Sequence, residues 1–337
     1  MLVIGCVRPT CRQLIMKRSF KYDTVRYLNQ SGWFFSRHKH LFKTFKLDSI
    51  PKLPYHETIE LSYQQYKPSK TFEIDTNLSP IVMLHGFLGS KQNYGTVARH
   101  ITQLTRHPVY GVDMRNHGQS MHAGPHDYYH LALDVIKVLQ DKNWNDAILV
   151  GHSMGAKVAM IVGLLEPELL SKIIVIDNSP VSSQLDESFE KDVVGMCHVE
   201  YDFPNFINKS PTFQASKVDS ILDQYEPDKK VQFFLKTNIN KNYKIKDQYF
   251  RVPVFNFLKE DVISNMGDWP SDKLNNKIFD KPVLVISGKH SNFVKDEYLP
   301  IFHHYFTNVK FEEFECGHWV VTDKPQEFIT SAVNFIS

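Results

Sequence analysis

The chain has 337 residues, 42% of them apolar and 23% charged, an ordinary soluble composition with room for one large α/β domain or one domain carrying an insertion. The formal net charge of +2 is uneven: residues 1–47 hold ten basic residues against one acid, Asp23, which leaves the rest at −7 and gives no support to nucleic-acid binding. The cysteines (Cys6, Cys11, Cys197 and Cys316) have no CxxC or Cys/His spacing for zinc, and no apolar run approaches the ~18–20 residues needed to cross a bilayer.

In chain order, the first element is residues 1–47, rich in Arg, Lys and aromatics. That is the composition of a mitochondrial presequence, and the apolar "MLVIGCV" precedes the positive charges instead of following them, unlike a secretory signal. The matrix is the expected location, translation from Met1 or Met16 fits equally, and Arg18-Ser19-Phe20 is a candidate processing site. The body is expected from 55 to 337. Its strands read as buried β-branched runs: "IVMLHG" (81–86), "VYGVD" (109–113), "AILVGHS" (147–153), "KIIVID" (172–177) and "PVLVIS" (282–287). Runs that are apolar on both faces belong in a parallel sheet covered on both sides. "KFEEFE" (310–315) is more polar, as an edge strand would be. Helical patterns fall between them at 91–104, 131–142, 155–165, 296–306 and 324–335, the last opening with Asp323 as a cap and Pro325. Alternating strands and helices predict a mostly parallel central sheet flanked by helices. Residues 181–278 break this rhythm with many aromatics and no convincing strand, and are expected to form a helical lid over one end of the sheet.

Chemistry concentrates at strand exits. In Gly151-His152-Ser153-Met154-Gly155 a serine sits where a strand gives way to small helix formers. A tight turn there would expose the hydroxyl as a nucleophile, and side chains at the flanking glycines would clash. "LHGFLGS" (84–90) ends an earlier strand and is expected to supply one oxyanion donor, Phe87 first and Leu88 second, with Met154 N–H as the other. Among sixteen histidines, only His318 completes the chain order Ser…acid…His. The acid is expected at Asp177, at the tip of the strand beside the serine's own. The next strand exit offers Ser291 where a carboxylate would serve, and Asp296 is the alternative. "DMRNHGQS" (113–120) reads as structural: Asp113 and Arg115 brace loops and Ser120 caps a helix.

With HGFLGS, DMRNHGQS, GHSMGAKVAM, VIDNSP and GHW in this order, the chain resembles the α/β-hydrolase superfamily from about residue 55 to the end. Within it, the likeness is to the mitochondrial branch of abhydrolase-domain ester hydrolases and yeast ethanol acetyltransferases. The resemblance implies an α/β-hydrolase fold with Ser153, Asp177 and His318 as the triad. It also implies an acetyl group passed from acetyl-CoA to ethanol, with thioesterase and esterase side reactions on short-chain esters. A plain mitochondrial ester or thioester hydrolase remains the alternative. No HExxH, P-loop or GxGxxG opens a helix, so no metal or nucleotide cofactor is expected and acetyl-CoA enters as substrate. The residues do not speak to oligomeric state.

Overall fold

The computed structural model describes residues 43–241 and 248–337. Its centre is a seven-stranded sheet in the order β1-β3-β2-β4-β5-β6-β7. The strands are β1 (Tyr63–Tyr66), β2 (Ile81–Leu84), β3 (Val109–Val112), β4 (Ala147–His152), β5 (Leu170–Ile176), β6 (Val283–Gly288) and β7 (Val309–Phe314). All neighbours are parallel except β1, which runs antiparallel to β3 at the edge. Every residue of β2 is buried, as its unbroken apolar run requires, whereas β7 alternates toward solvent. Strand β1, "YQQY", buries fully only its last residue, and its polar middle hid it from sequence reading.

Two helical layers close the sheet. On one face, Ile81, Met83, Ile148, Val150, Ile174, Ile176, Leu284 and Ile286 share a core with α1 (Gly95–Thr105) and the C-terminal helix, Pro325–Ile336. On the other lie α2 (Tyr128–Asp141) and α3 (Met154–Leu165). Helix α3 is buried along nearly its whole length, so its apolar residues face sheet and neighbours alike. Asp127 caps α2 by accepting from His130 N–H. Asp323 does not cap the last helix as expected: it closes a short preceding turn, Val320–Asp323, and Lys324 occupies the cap position.

Between β5 and β6 the chain forms α4 (Glu187–Asp202), α5 (Pro211–Leu222), α6 (Lys229–Lys236), α7 (Val254–Lys259), α8 (Val262–Asn265) and α9 (Ser271–Leu274). The two ends of this helical insertion meet: Ser183 N–H donates to Gly267 O at 2.9 Å. Lys157, fully buried on α3, donates its ammonium to Gly267 O at 3.0 Å and Asp268 O at 2.8 Å. Burial disfavours its charge and pushes its pKa down to about 7.

The expected N-terminal boundaries move. Phe45 and Leu47 are buried in the body, and the Phe45 ring lies 5.7 Å from Tyr201 and 6.1 Å from Phe255. Asn256 holds Pro51 O at 2.8 Å, and Glu260 accepts Leu53 N–H at 3.0 Å. A leader ending at 47 and a body starting at 55 both miss this strap, because one aromatic and one leucine among lysines carry no periodicity. The rest of the expected leader lies outside the described residues.

Candidate active site

The sheet's register assembles the site. The strand order reverses between β2 and β4, and a doubly wound sheet opens its crevice at the C-terminal ends of such strands. Leu84 pairs with Gly151, which sets the 85–88 turn beside Ser153. His152 pairs with Ile176, so Asp177 emerges next to the serine, and Ile176 pairs with Ile286.

Ser153 stands at φ 54°, ψ −116°, a conformation that L-residues adopt only where the surroundings enforce it. Its N–H donates to Ile176 O at 2.9 Å, its carbonyl accepts Ala156 N–H at 3.0 Å, and Asn178 Nδ2 donates to the same carbonyl at 3.0 Å. Sequence reading missed Asn178; its signal was its place in "VIDNSP", directly after the acid.

His318, in the loop between β7 and the Val320–Asp323 turn, lies with Nε2 3.0 Å from Ser153 Oγ. Its Nδ1 lies 2.6 Å from Asp177 Oδ2. An ionised carboxylate only accepts, so Nδ1 carries the proton and Nε2 is left to take one from the serine. Phe293 stacks on the imidazole with centroids 4.2 Å apart, and His152 Nε2–H donates to the His318 carbonyl at 2.9 Å. Burial, reinforced by the neighbouring His318, pushes the pKa of His152 down to about 4, so it holds the loop as a neutral donor.

Asp177 is fully buried. Its Oδ1 accepts Gly288 N–H at 3.0 Å, and Oδ2 accepts both His318 and the Ser291 hydroxyl, the latter at 2.5 Å. Asp296, the alternative acid, is exposed at the start of a short turn and makes no hydrogen bond to His318.

The oxyanion turn separates the two expected donors. Leu88 N–H donates to His117 Nε2 at 3.1 Å, which removes the second choice. Phe87 N–H has no partner among the described residues. Met154 is the first residue of α3, where a helix leaves its N–H groups free. A Cβ on Gly86 would fall 3.1 Å from Ser153 Cβ, so this turn lies against the serine.

A cavity of about 820 Å³ joins these groups and is walled by both sheet and insertion. Ser153, His318 and Phe87 line it together with Phe189, Phe234 and Leu235 of the insertion. A serine with an imidazole at one end and open N–H donors beside it can attack an acyl carbonyl and hold the charge that develops.

Residues 79–325 match the family model for the alpha/beta hydrolase fold. The chain belongs to this family. It is 32% identical over 311 residues to Ethanol acetyltransferase 1 of Wickerhamomyces ciferrii, covering 88% of this chain and 78% of the relative. It is 31% identical over 259 residues to an abhydrolase domain-containing protein of Schizosaccharomyces pombe, covering 77% of this chain and 92% of the other. Among solved structures, a marine microorganism esterase superposes with a TM-score of 0.70 at 23% identity, covering 82% of this chain and 99% of that one. Family and relatives make the chain an acyl-transferring or hydrolytic enzyme.

The glycines that flank Ser153 are as confined as the sequence suggested. A Cβ on Gly155 would lie 2.2 Å from Leu84 O, and one on Gly151 would lie 2.1 Å from Gly155 O. Both obstacles are backbone and cannot rotate away. Gly155→Ala is therefore expected to cost at least the ~1–3 kcal/mol of an overpacked core and to melt several degrees lower. A melting temperature equal to wild type by circular dichroism would refute this clash.

The "DMRNHGQS" segment braces the turn. Asp113 accepts Lys91 N–H at 2.7 Å and Gln119 N–H at 2.9 Å, and pairs with the Lys91 ammonium. Arg115, fully buried, is held bidentate by Asp134 at 2.7 and 2.8 Å. Ser120 caps no helix: it donates to Asp113 O at 2.6 Å and accepts Ser62 N–H at 2.9 Å, tying β1 to the loop after β3. Among the described residues no helix is long and apolar enough to cross a membrane.

Proposed function

We propose that this chain is a serine-dependent acyltransferase that moves an acetyl group from acetyl-CoA to ethanol, with thioester and ester hydrolysis as side reactions. The observation that carries the mechanism is the relay in which His318 reaches Ser153 Oγ at the cavity wall with Nε2 and the buried Asp177 behind it with Nδ1. The likeness to relatives named ethanol acetyltransferase along most of the chain supports the acceptor. The basic, acid-poor first 47 residues support the mitochondrial matrix as the location, which would supply acetyl-CoA.

In the first half, His318 Nε2 takes the Ser153 proton as Oγ attacks the thioester carbonyl. Phe87 and Met154 N–H hold the oxyanion, the C–S bond breaks, and the thiolate leaves with the proton from His318. In the second, ethanol gives its proton to His318 and attacks the acetyl-serine. The serine ester bond breaks, Ser153 recovers the proton, and ethyl acetate departs. Asp177 keeps Nδ1 protonated throughout and stabilises the imidazolium. Water competing in the second half gives acetate, so the insertion acts as a lid that orients the alcohol and excludes water. The comparable likeness to the Schizosaccharomyces pombe abhydrolase domain-containing protein, whose name specifies no acetyltransferase, keeps a second reading, an ester or thioester hydrolase without useful transfer to alcohols.

One assay separates them. Purified protein is given acetyl-CoA and graded ethanol while free coenzyme A, acetate and ethyl acetate are measured together. Ethyl acetate rising as acetate falls, at constant acetyl-CoA consumption, is the expected result. Acetate alone makes the enzyme a thioesterase, and no turnover of acetyl-CoA overturns the proposal in favour of ester substrates.

A further inference from the structure

The oxyanion turn is held at one residue, Leu88, from two distant parts of the chain. Leu88 sits at φ 59°, a left-handed conformation that a branched side chain adopts only under constraint. Its N–H is taken by His117 from the loop after β3, at 3.1 Å. Its carbonyl accepts Asn238 Nδ2 from the helical insertion at 2.7 Å, across 150 positions of sequence. Both partners are buried. Asn238 is itself fixed: its N–H donates to Leu235 O at 3.1 Å, and its carbonyl accepts Arg251 N–H at 2.8 Å. His117 donates Nδ1–H to Arg115 O at 2.8 Å, which leaves Nε2 as the acceptor Leu88 needs.

We propose that Asn238 is a positioning residue for the oxyanion hole: by holding the Leu88 carbonyl opposite His117, it locks the turn that presents Phe87 N–H and makes the insertion part of the catalytic machinery. The inference rests on the acyl-serine reading above and deepens it. Helix α6, which ends two residues before Asn238, also places Phe234 edge-on against Trp319 at 4.7 Å, next to His318. The insertion thus touches both the oxyanion turn and the neighbour of the base. The consequence is conditional catalysis: the hole is complete only while the insertion is seated, so the acyl-enzyme forms when water is excluded.

The test uses Asn238→Asp, which keeps the shape and cannot donate once ionised, and Asn238→Leu, which cannot donate at any pH, in the full chain with p-nitrophenyl acetate. Losing one oxyanion donor outright costs about 10²–10³-fold in kcat, so losing its support is expected to lower kcat by about 10- to 100-fold with KM within about two-fold. A trifluoromethyl ketone, whose adduct with the serine carries an oxyanion, should bind more weakly by the same factor as the fall in kcat/KM. The corresponding methyl ketone should bind unchanged. A loss of kcat that follows thermal stability and leaves the trifluoromethyl ketone affinity intact would overturn the proposal, as would normal kinetics in both variants. If Asn238→Leu fails to fold, the isosteric Asn238→Asp carries the comparison. Stoichiometric fluorophosphonate labelling of Ser153 in the wild type separates the two failures. An unlabelled Ser153 sinks the acyl-serine reading itself, and a labelled one with unaffected Asn238 variants sinks only this inference.

Discussion

Ser153→Ala is expected to lower turnover of acetyl-CoA and of ester substrates by about 10⁴-fold or more. Among the described residues the removed atom is the side-chain oxygen that hydrogen-bonds His318 Nε2, and no other described hydroxyl stands there to replace it as nucleophile. Nothing else in the site depends on that hydroxyl. The elbow is held by Ser153 backbone groups on Ile176, Ala156 and Asn178, all of which alanine retains. The oxyanion turn and the cavity wall stay in place too. A residual rate of roughly 10³–10⁴ over water should therefore survive from donors and binding alone, and acetyl-CoA should still bind with near-normal affinity. Fluorophosphonate labelling should vanish altogether. Turnover within ten-fold of wild type would show that the reaction does not pass through this serine.

The fold was legible where one physical signal dominates. Strands β2 to β6 are short, β-branched, mostly buried runs, and their shortness and β-branching separate them from a buried helix such as α3. Their parallel register then decides which exits are neighbours, which is why Ser153 meets Asp177 and the 85–88 turn. Elements that mix signals were hidden. Strand β1 has polar Gln64 and Gln65 in its middle, and the Phe45–Leu47 strap lies in a stretch whose lysines look like a leader. The choice between Asp177 and Asp296 could be argued only from strand order, which composition does not reveal; in the structure it is Asp177 that lies 2.6 Å from His318 Nδ1. Leu88 was a reasonable second donor until His117 was seen to occupy its N–H. Asn178 and Asn238 were missed for a common reason. Each acts through one side-chain amide on a carbonyl 25 or 150 positions away, and such a bond leaves no local periodicity or motif.

Asp177→Asn should cost about 10⁴-fold in kcat/KM, for a reason that the carboxylate's second oxygen makes specific. Gly288 N–H points at Oδ1 and requires an acceptor there, so the asparagine oxygen must take that place. The amide NH₂ then faces His318 Nδ1, where it donates. The imidazole responds by moving its proton to Nε2, the tautomer that cannot accept from Ser153. The same geometry suggests a rescue. Ser291 Oγ lies 2.5 Å from Oδ2, the oxygen that holds Nδ1 at 2.6 Å, so a carboxylate grown from position 291 reaches the same point from the neighbouring strand exit. Asp177→Asn combined with Ser291→Asp is expected to recover at least about ten-fold over Asp177→Asn alone. Ser291→Asp by itself should instead lose activity, because two buried carboxylates in contact cannot both ionise. The readouts are kcat/KM with p-nitrophenyl acetate and the acidic limb of its pH profile, which should return with the restored carboxylate. If Asp177→Asn stayed within ten-fold of wild type, the acid would have to be Asp296, brought inward by a movement of the 289–296 loop. If the double variant recovered nothing, the backbone of β5 would be doing more than carrying a carboxylate. Asp177 itself sits at φ 52°, a strained placement that aims both oxygens at once, and position 291 would then lack the aim while having the reach.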